Sequence, residues 1–299
     1  MKLARLVVIG AGLIGGSVAA AARARGVAQD VWVMDPAQGA KAVSLGFATR
    51  AFEDLGTLLD SMNASSDLES VVVLASPVQA IAKTIQIFSG RLREPWFEKS
   101  IRLITDCGST KHALMESVAS LESSTRALLV AKFVPCHPMA GSERSGPGAA
   151  TDSLFVSARV LVSQFDETPP AVVADAESFW LALGGQPTPL PLRDHDSVLA
   201  AISHFPHLVS YGLAAMLSRS PMARMAQNLH GGGLRDTTRI AASSPELWAE
   251  IMLDNRDAML QLLGHWRLAF DGLVQALEKG DRTALIQGLS EAADWRRQF

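Results

Sequence analysis

Short apolar runs alternate with helical stretches through the first two thirds of the chain. An apolar run at 6–9 precedes an alanine-rich helical stretch, and a second apolar run follows at 31–34. Further apolar runs lie at 71–74, 101–105, 128–133, 154–162 and 186–190, and segments with helical spacing separate most of them. This alternation predicts an α/β domain with a doubly wound, mostly parallel sheet and helices on both of its faces.

The pattern changes near residue 190, after three closely spaced prolines. From Asp194 onward helical periodicity dominates, with apolar positions repeating at three- and four-residue intervals. We therefore predict two domains, an α/β domain over 1–190 and an all-α domain over 191–299. Helices this apolar predict that the second domain also packs against a second copy of itself, which makes the protein a homodimer.

A glycine-rich turn joins the first predicted strand to the first predicted helix. Gly10 permits a tight turn, Gly12 lets the backbone approach a pyrophosphate, and Gly15 lets the helix pack close to the strand. Leu13 and Ile14 lie between them, where the helix begins. Because a helix N-terminus favours anions, this segment predicts a Rossmann-type dinucleotide site.

An acidic residue follows at the expected distance. Asp35 lies about 20 residues beyond the third glycine, at the end of the second predicted strand, where a carboxylate accepts hydrogen bonds from ribose hydroxyls. It would repel a 2′-phosphate, so the predicted cofactor is NAD rather than NADP. The alternative is a secretory signal, since Lys2 and Arg5 precede an uncharged run. The regular second strand and the lack of a disulfide-type cysteine pattern argue against it.

Composition excludes several classes of protein. The 299 residues suffice for two domains with cores, and 48% of them are hydrophobic. The net charge of -3 argues against a nucleic-acid or anionic-membrane partner. The two cysteines indicate a reducing compartment, and we find no further apolar run as long as a membrane span. The expectation is a cytoplasmic protein.

Chemically distinctive residues follow the predicted strands and should meet along one edge of the sheet. Ser76, Pro77, Asp106 and Gly108 are predicted to contact the cofactor. A neutral imidazole such as that of His137 is suited to accept a proton from a hydroxyl whose carbon gives up hydride, and the alternative is a histidine hydrogen-bonded in a loop.

Ser109 has two interpretations. It could donate to the same hydroxyl, or it and Thr110 could simply cap the following helix. The two roles do not exclude each other.

Candidate substrate contacts lie in the helical domain. His204 and His207, three residues apart, indicate polar pocket lining, as does the pair His195-Asp196. A metal site is not predicted, because no cysteine or acid lies at ligand spacing beside the histidines. Two arginines, Arg235 and Arg239, would share a helical face and could grip a carboxylate. The alternative is a solvated pair bridging to Asp236 or Glu246.

Taken together, these motifs resemble the prephenate and arogenate dehydrogenases of tyrosine biosynthesis. That family shares GxGLIGGS, D-x-GS-x-K, HPMAGSE, SHxPH, and TRIA followed by SxPxxW. The matching segments here are 10–17, 106–111, 137–143, 203–207, and 238–241 with Ser244, Pro245 and Trp248. The resemblance covers nearly the whole chain.

The resemblance implies an oxidative decarboxylation of prephenate to 4-hydroxyphenylpyruvate with reduction of NAD, or of arogenate directly to tyrosine, or both. It maps the catalytic histidine onto His137, the serine onto Ser109, and the carboxylate-binding arginine onto Arg239 rather than Arg235. Cys136 departs from the glycine-like residues of many relatives and should place a thiol beside the base, so that alkylation inhibits. The chain ends at Phe299, which implies no fused chorismate mutase or regulatory domain.

Two other readings compete. A 3-hydroxyacid dehydrogenase would need a lysine in the helical domain, and none occurs between Lys132 and Lys279. A redox sensor that binds NAD without turnover would need the glycine turn but would have no use for His137 or a carboxylate clamp.

Overall fold

Six parallel strands form the larger sheet of the computed structural model, which describes residues 1–142 and 144–298. Their order is β3-β2-β1-β4-β5-β6, so the chain changes direction across the sheet between β1 and β4. This confirms the predicted doubly wound parallel sheet. The strands are β1 Leu3–Ile9, β2 Ala28–Met34, β3 Arg50–Phe52, β4 Ser70–Leu74, β5 Ile101–Asp106 and β6 Phe133–Val134.

Helices pack against both faces of this sheet, because the strands are apolar on both faces. In β4, for example, Val71 and Val73 belong to one buried cluster, while Val72 and Leu74 belong to the other. Burying an aliphatic side chain of this size contributes about 1.5–3 kcal/mol. The helices are α1 Leu13–Ala24, α2 Gly39–Ser44, α3 Leu55–Ala64, α4 Val78–Ser89, α5 Pro95–Ser100, α6 His112–Ala119, α7 Ser123–Val130 and α8 Pro170–Ala182.

A second, three-stranded sheet was not predicted. It contains β7 Cys136–Pro138, β8 Arg159–Val162 and β9 Gln186–Pro189, with β7 antiparallel and β9 parallel to β8. The predicted strand over 128–133 is wrong, since its first residues end α7. The strand predicted over 154–162 exists only in its last four residues. Short apolar runs do not distinguish a strand from the end of a helix.

Beyond Pro189 the described residues contain helices and no strand, as predicted. The α-helices are α9 Leu192–Leu199, α10 Phe205–Ser218, α11 Ala223–Leu229, α12 Gly232–Thr238, α13 Pro245–Asp254, α14 Arg256–Glu278 and α15 Arg282–Arg296. A π-helical turn, Ala200–His204, joins α9 to α10, and a 3-10 turn, Arg239–Ala242, follows α12.

The chain forms two compact units. The first comprises Met1–Asp196 together with Ala242–Asp254, and the second comprises Ser197–Ala241 together with the chain from Asn255 onward. Helix α13 thus belongs to the first unit although it lies far along the sequence. A single boundary near residue 190 does not describe that return of the chain.

One continuous helical segment is longer and more apolar than expected from the sequence. Leu192–Ser218 spans 27 residues and passes a length and composition test for a membrane-crossing helix, with 22% of its most apolar window buried. The expectation that no other run reaches that length is therefore wrong. One such helix is weak evidence for a membrane, because the core helix of a soluble protein passes the same test.

Candidate functional site

The glycine turn lies between β1 and α1 and is shaped by close backbone contacts. Gly10 has a φ of 98°, and a Cβ there would lie 2.6 Å from the carbonyl oxygen of Ala75. A Cβ on Gly15 would overlap the carbonyl oxygen of Gly10 and lie 3.0 Å from the Ala75 side chain. Both glycines therefore let the turn and α1 pack tightly against the end of β4.

Gly12 differs from these two glycines. It is the N-cap of α1, where no side chain caps the helix, and a Cβ built there meets no atom within 4 Å. The half-buried side chains of Leu13 and Ile14 follow it, and the first turn of α1 contains no acid. Uncapped amides beside open space form an anion-binding cradle, which fits the pyrophosphate of a dinucleotide.

Asp35 connects the glycine turn to the end of β2. One carboxylate oxygen accepts from the amide of Ala11 at 2.8 Å, and the other accepts from the amides of Ala37 and Gln38, both at 2.9 Å. A carboxylate offers about four lone-pair sites, so half-buried Asp35 retains acceptor capacity for a ribose hydroxyl. Its orientation is set by the protein before any ligand binds.

Ser76 and Pro77 follow β4 at the same edge of the sheet. The Ser76 hydroxyl is buried and has no hydrogen-bond partner among the described residues, while Pro77 is exposed and precedes α4. A buried polar atom without a partner is costly, and a ligand hydroxyl or phosphate would satisfy it. The ends of β1, β2 and β4 thus bring the predicted cofactor residues together.

Asp106 is placed differently from the prediction. Its side chain is fully buried, and one oxygen accepts from Lys111 Nζ at 2.6 Å and the Gly108 amide at 2.8 Å. The other oxygen accepts from the Cys136 amide at 3.0 Å. Asp106 therefore has no exposed atom to offer a cofactor, and we correct its predicted role to a structural one.

Lys111 completes this buried cluster. Its ammonium group is fully buried and also donates to the carbonyl oxygens of Gly108, at 2.7 Å, and Cys136, at 2.8 Å. A Cβ on Gly108 would lie 2.8 Å from the Asp106 carboxylate, so this glycine makes room for the cluster and is itself buried. The cluster fixes β7 beyond the carboxyl end of β5.

Ser109 is half-buried beside this cluster. Helix α6 begins at His112 and has no side-chain capping bond, so neither Ser109 nor Thr110 caps it. The capping interpretation of Ser109 is therefore wrong, and its contact with the substrate hydroxyl stays a prediction.

His137 lies in the middle of β7 and is 8% exposed. Its Nδ1 lies 3.1 Å from Nε2 of His195, a residue of α9 in the same unit. His195 Nδ1 in turn lies 2.7 Å from a carboxylate oxygen of Asp196, which also accepts from the Lys111 amide at 2.8 Å. His137, His195 and Asp196 thus form a hydrogen-bonded line.

Burial governs the electrostatics of this line. Desolvation lowers the pKa of His195 below its ordinary value of 6.5, despite the opposing hydrogen bond to Asp196. Burial alone would raise the pKa of Asp196, but the hydrogen bond from His195 and the Lys111 amide hold that pKa below its usual range. The physical result is a neutral His195 next to an ionised Asp196 at neutral pH.

Sequence reasoning missed the contact between His137 and His195. The pair His195-Asp196 stands out in the sequence, where it predicts only pocket lining in the helical domain. His137 and His195 are 58 positions apart in the sequence, and only the fold brings their side chains together.

The predicted position of the Cys136 thiol beside the base is wrong. Neighbouring side chains of a strand point to opposite faces, and the Cys136 thiol is fully buried in the core beneath the sheet. Burial raises the pKa of this thiol to about 12. An alkylating reagent reacts with exposed thiolates, so it has no access to this one.

The second unit contains the remaining predicted residues. His204 is buried, and its Nδ1 lies 3.0 Å from the side-chain amide nitrogen of Asn255. His207 is half-buried, and burial lowers the pKa of its imidazole. A hydrogen bond with the backbone of Ile240 raises this pKa, and the positive charge of Arg239 lowers it. His207 and Arg239 are therefore neighbours.

The two arginines have different surroundings. Both side chains are exposed, but the guanidinium of Arg235 pairs with Asp236 at 3.2 Å, which is the solvated arrangement considered as the alternative to a carboxylate grip. Arg239 begins the 3-10 turn after α12, and the Ser210 hydroxyl anchors that helix by donating to Thr237 at 2.9 Å. Arg239 rather than Arg235 is thus held beside a histidine.

No group of three or more potential ligands that could hold a metal is present among the described residues.

Family models match almost the whole chain. The model described as prephenate dehydrogenase, nucleotide-binding domain, matches residues 18–188, and the one described as prephenate dehydrogenase, dimerization domain, matches residues 191–291. The chain belongs to the prephenate dehydrogenase family. The resemblance expected from the sequence motifs is confirmed, although Glu143 at the end of the HPMAGSE segment lies outside the described residues.

Relatives in this family carry more than one substrate name. The chain is 30% identical to a cyclohexadienyl dehydrogenase of Zymomonas mobilis over 96% of this chain and 93% of the relative. It is 29% identical to a prephenate dehydrogenase of Bacillus subtilis over 97% of this chain and 75% of the relative.

Solved structures agree with the fold. A prephenate dehydrogenase of Aquifex aeolicus, in complex with hydroxyphenyl propionate and NAD+, matches with a TM-score of 0.84 and 26% identity over 100% of this chain and 99% of its own. An arogenate dehydrogenase of Synechocystis matches with a TM-score of 0.75 and 26% identity over 98% and 99%. The family therefore has one architecture and at least two named substrates.

Proposed function

We propose that the chain is an NAD-dependent prephenate dehydrogenase, which converts prephenate to 4-hydroxyphenylpyruvate, carbon dioxide and NADH. The observation that carries this proposal is the position of His137, which the buried Asp106–Lys111 cluster holds beyond the carboxyl end of β5. Ligands bind at that edge of such sheets, and the dinucleotide cradle lies along the same edge. A proton acceptor beside a hydride acceptor is what oxidation of an alcohol requires.

NAD is supported by the cradle at Gly12, by the unsatisfied Ser76 hydroxyl and by Asp35. The Aquifex relative was solved with NAD+. When bound, the nicotinamide accepts the hydride from the ring carbon that bears the hydroxyl. Asp35 would disfavour the 2′-phosphate of NADP through charge repulsion.

The protein's own side chains then have separate tasks. His137 accepts the hydroxyl proton, and Ser109 donates to the same oxygen and orients it. Arg239 and His207 bind a carboxylate of the substrate, and His204, which lies against Asn255, is a further proposed substrate contact. Holding the reactants in a near-attack geometry supplies most of the acceleration, and a general base adds about a hundredfold to ten-thousandfold.

Arogenate is the second candidate substrate, and activity on both substrates is a third possibility. The named activities of the Zymomonas and Synechocystis relatives favour these alternatives. Prephenate and arogenate differ only in a keto or amino group on the side chain. The proposed base, hydroxyl donor and carboxylate contacts serve either one.

A homodimer through the second unit is part of the proposal. The family model of this region is described as a dimerization domain. Its long helix α14 exposes large apolar side chains, with Leu260 58%, Leu268 75% and Leu277 65% exposed. An apolar surface of this kind is typical of a protein interface.

The test is a matrix of four reactions, in which prephenate or arogenate is mixed with NAD or NADP and the near-ultraviolet absorbance of the reduced nicotinamide is followed. We expect turnover with prephenate and NAD. Turnover with arogenate alone would keep the mechanism and change the substrate. Equal rates with NADP would contradict the role given to Asp35.

Variants test the division of tasks. His137→Ala should mainly lower kcat, because it removes a group that acts in the transition state, whereas Arg239→Ala should mainly raise KM. The opposite pattern would overturn the assignment. Arg235→Ala serves as the matched control, since the exposed pairing of Arg235 with Asp236 predicts a smaller change than at Arg239.

A further inference from the structure

The line of groups behind His137 determines which of its nitrogens carries a proton. A carboxylate only accepts hydrogen bonds, so His195 must donate from Nδ1 to Asp196 across the 2.7 Å contact. A neutral imidazole that is protonated on Nδ1 carries its lone pair on Nε2. That nitrogen of His195 therefore accepts from His137 Nδ1 across the 3.1 Å contact.

The tautomer of His195 determines which ring nitrogen of His137 can accept the substrate proton. With its proton on Nδ1, neutral His137 carries its lone pair on Nε2. Isolated histidine side chains favour the opposite tautomer, with the proton on Nε2, and in that form Nε2 could not accept a proton. The line from Asp196 through His195 thus selects the tautomer that a general base needs.

This selection requires a neutral His195, and its surroundings keep it neutral. The ring is fully buried. The charged and titratable groups that face it are Asp196, His137, Lys111 and Asp106, and Lys111 with Asp106 forms a buried ion pair of its own. If His195 were protonated, it would donate from both nitrogens, and His137 would have to present its lone pair at Nδ1.

We propose that His195 and Asp196 are positioning residues that hold His137 in the tautomer with the proton on Nδ1, so that Nε2 receives the proton of the substrate hydroxyl. The catalytic part of this inference rests on the proposed function, whereas the tautomer does not. As the substrate O–H bond breaks, a bond forms between that proton and His137 Nε2, while the carbon's hydride passes to the oxidised nicotinamide. The resulting imidazolium donates from Nδ1 to His195, whose Nδ1 proton stays paired with ionised Asp196.

Nitrogen-15 NMR of the histidine-labelled full chain tests the tautomer without any substrate. We expect the His137 and His195 rings to show protonated Nδ1 and unprotonated Nε2 at neutral pH. His112 is the internal control, because it is exposed and its Nε2 faces Glu116 at 3.4 Å, which predicts the ordinary tautomer. Protonated Nε2 on neutral His137 in the wild-type protein would overturn the proposal.

Kinetics of matched variants test the consequence. His195→Ala should release His137 to the ordinary tautomer and lower kcat about 10- to 100-fold, within the range that a general base supplies, with little change in KM. His195→Gln can place a side-chain oxygen as an acceptor near the position of Nε2 and should restore part of the loss. Asp196→Asn keeps an acceptor for the Lys111 amide and should cost less than His195→Ala.

The outcomes are distinguishable from failure of the proposed function. If the wild-type protein turns over neither substrate, the proposed function fails, and the NMR spectrum still decides the tautomer. If the wild-type protein is active and His195→Ala leaves kcat and the His137 tautomer unchanged, the positioning role is refuted. Urea unfolding and NADH binding of each variant separate a lost fold from a lost tautomer.

Discussion

Two glycines of the cofactor turn should respond to alanine in opposite ways. Gly12 has φ and ψ of −69° and −159°, which alanine adopts readily, and the added methyl group would enter open space. At Gly15 the methyl group would overlap the carbonyl oxygen of Gly10. Gly12→Ala therefore tests the ligand cradle, and Gly15→Ala tests the packing of α1 on the sheet.

The magnitudes follow from these contacts. Gly12→Ala should leave the free energy of unfolding unchanged or raise it by about 0.4–1 kcal/mol, because alanine restricts the unfolded chain. Losing one hydrogen bond to a charged phosphate costs about 1.5–3 kcal/mol, which corresponds to roughly 10- to 150-fold weaker binding of NADH. Gly15→Ala should lower the free energy of unfolding by about 1–3 kcal/mol through overpacking.

The assay combines NADH fluorescence titration with urea unfolding of each variant. Gly90→Ala is the matched control in the same unit, since Gly90 is exposed, has φ and ψ of −69° and −16°, and its Cβ would lie at an ordinary 3.4 Å from Ile87. It should change neither measurement appreciably. Normal NADH affinity in a well-folded Gly12→Ala protein would refute the cradle, and unchanged stability of Gly15→Ala would refute the packing argument.

Further predictions concern buried and charged groups. Lys111→Met leaves the Asp106 carboxylate buried without its cation and should destabilise the protein by about 3–5 kcal/mol in urea unfolding, whereas a loss below 1 kcal/mol would contradict the buried cluster. Folding lowers the pKa of His195 below 6.5, so the unfolded chain binds more protons in acid. The free energy of unfolding should therefore fall as the pH drops below 6.5, and it should fall less in His195→Gln. Asp35→Ser should narrow the preference for NAD over NADP, measured as the ratio of the two kcat/KM values; an unchanged ratio would contradict its role. Iodoacetamide should leave Cys136 unmodified in the native protein and modify it in urea, as mass spectrometry would show; rapid native labelling would contradict its burial.

The parts of the fold that the sequence predicted correctly are those specified by local patterns. The turn from β1 to α1 depends on glycines a few residues apart, and the sheet strands stand out as apolar runs between helices. The small second sheet was missed because its strands are three or four residues long and pair across long stretches of chain. A periodicity argument has too few residues to act on there.

The candidate site, too, is predictable from the sequence only where local patterns specify it. Gly10, Gly12, Gly15 and Asp35 meet as their spacing predicts, because one strand, turn and helix connect them. The position of Asp106 after an apolar run predicts a cofactor contact, and nothing in the sequence reveals that Lys111 and two backbone amides occupy its carboxylate.

The contact of His137 with His195 could not be predicted from the sequence either. It depends on the path of the chain from β7 to α9, and the tautomer depends on hydrogen bonds rather than on residue types.

The measurement that tests the central claim most directly is the stoichiometry of the reaction. The purified protein would be incubated with NAD and a limiting amount of prephenate, and NADH and carbon dioxide would be measured together. The account predicts one NADH and one carbon dioxide for each prephenate consumed, with both abolished or strongly slowed in His137→Ala. Tight binding of NADH without formation of either product from prephenate or arogenate would contradict it and would indicate a non-catalytic, nucleotide-binding sensor.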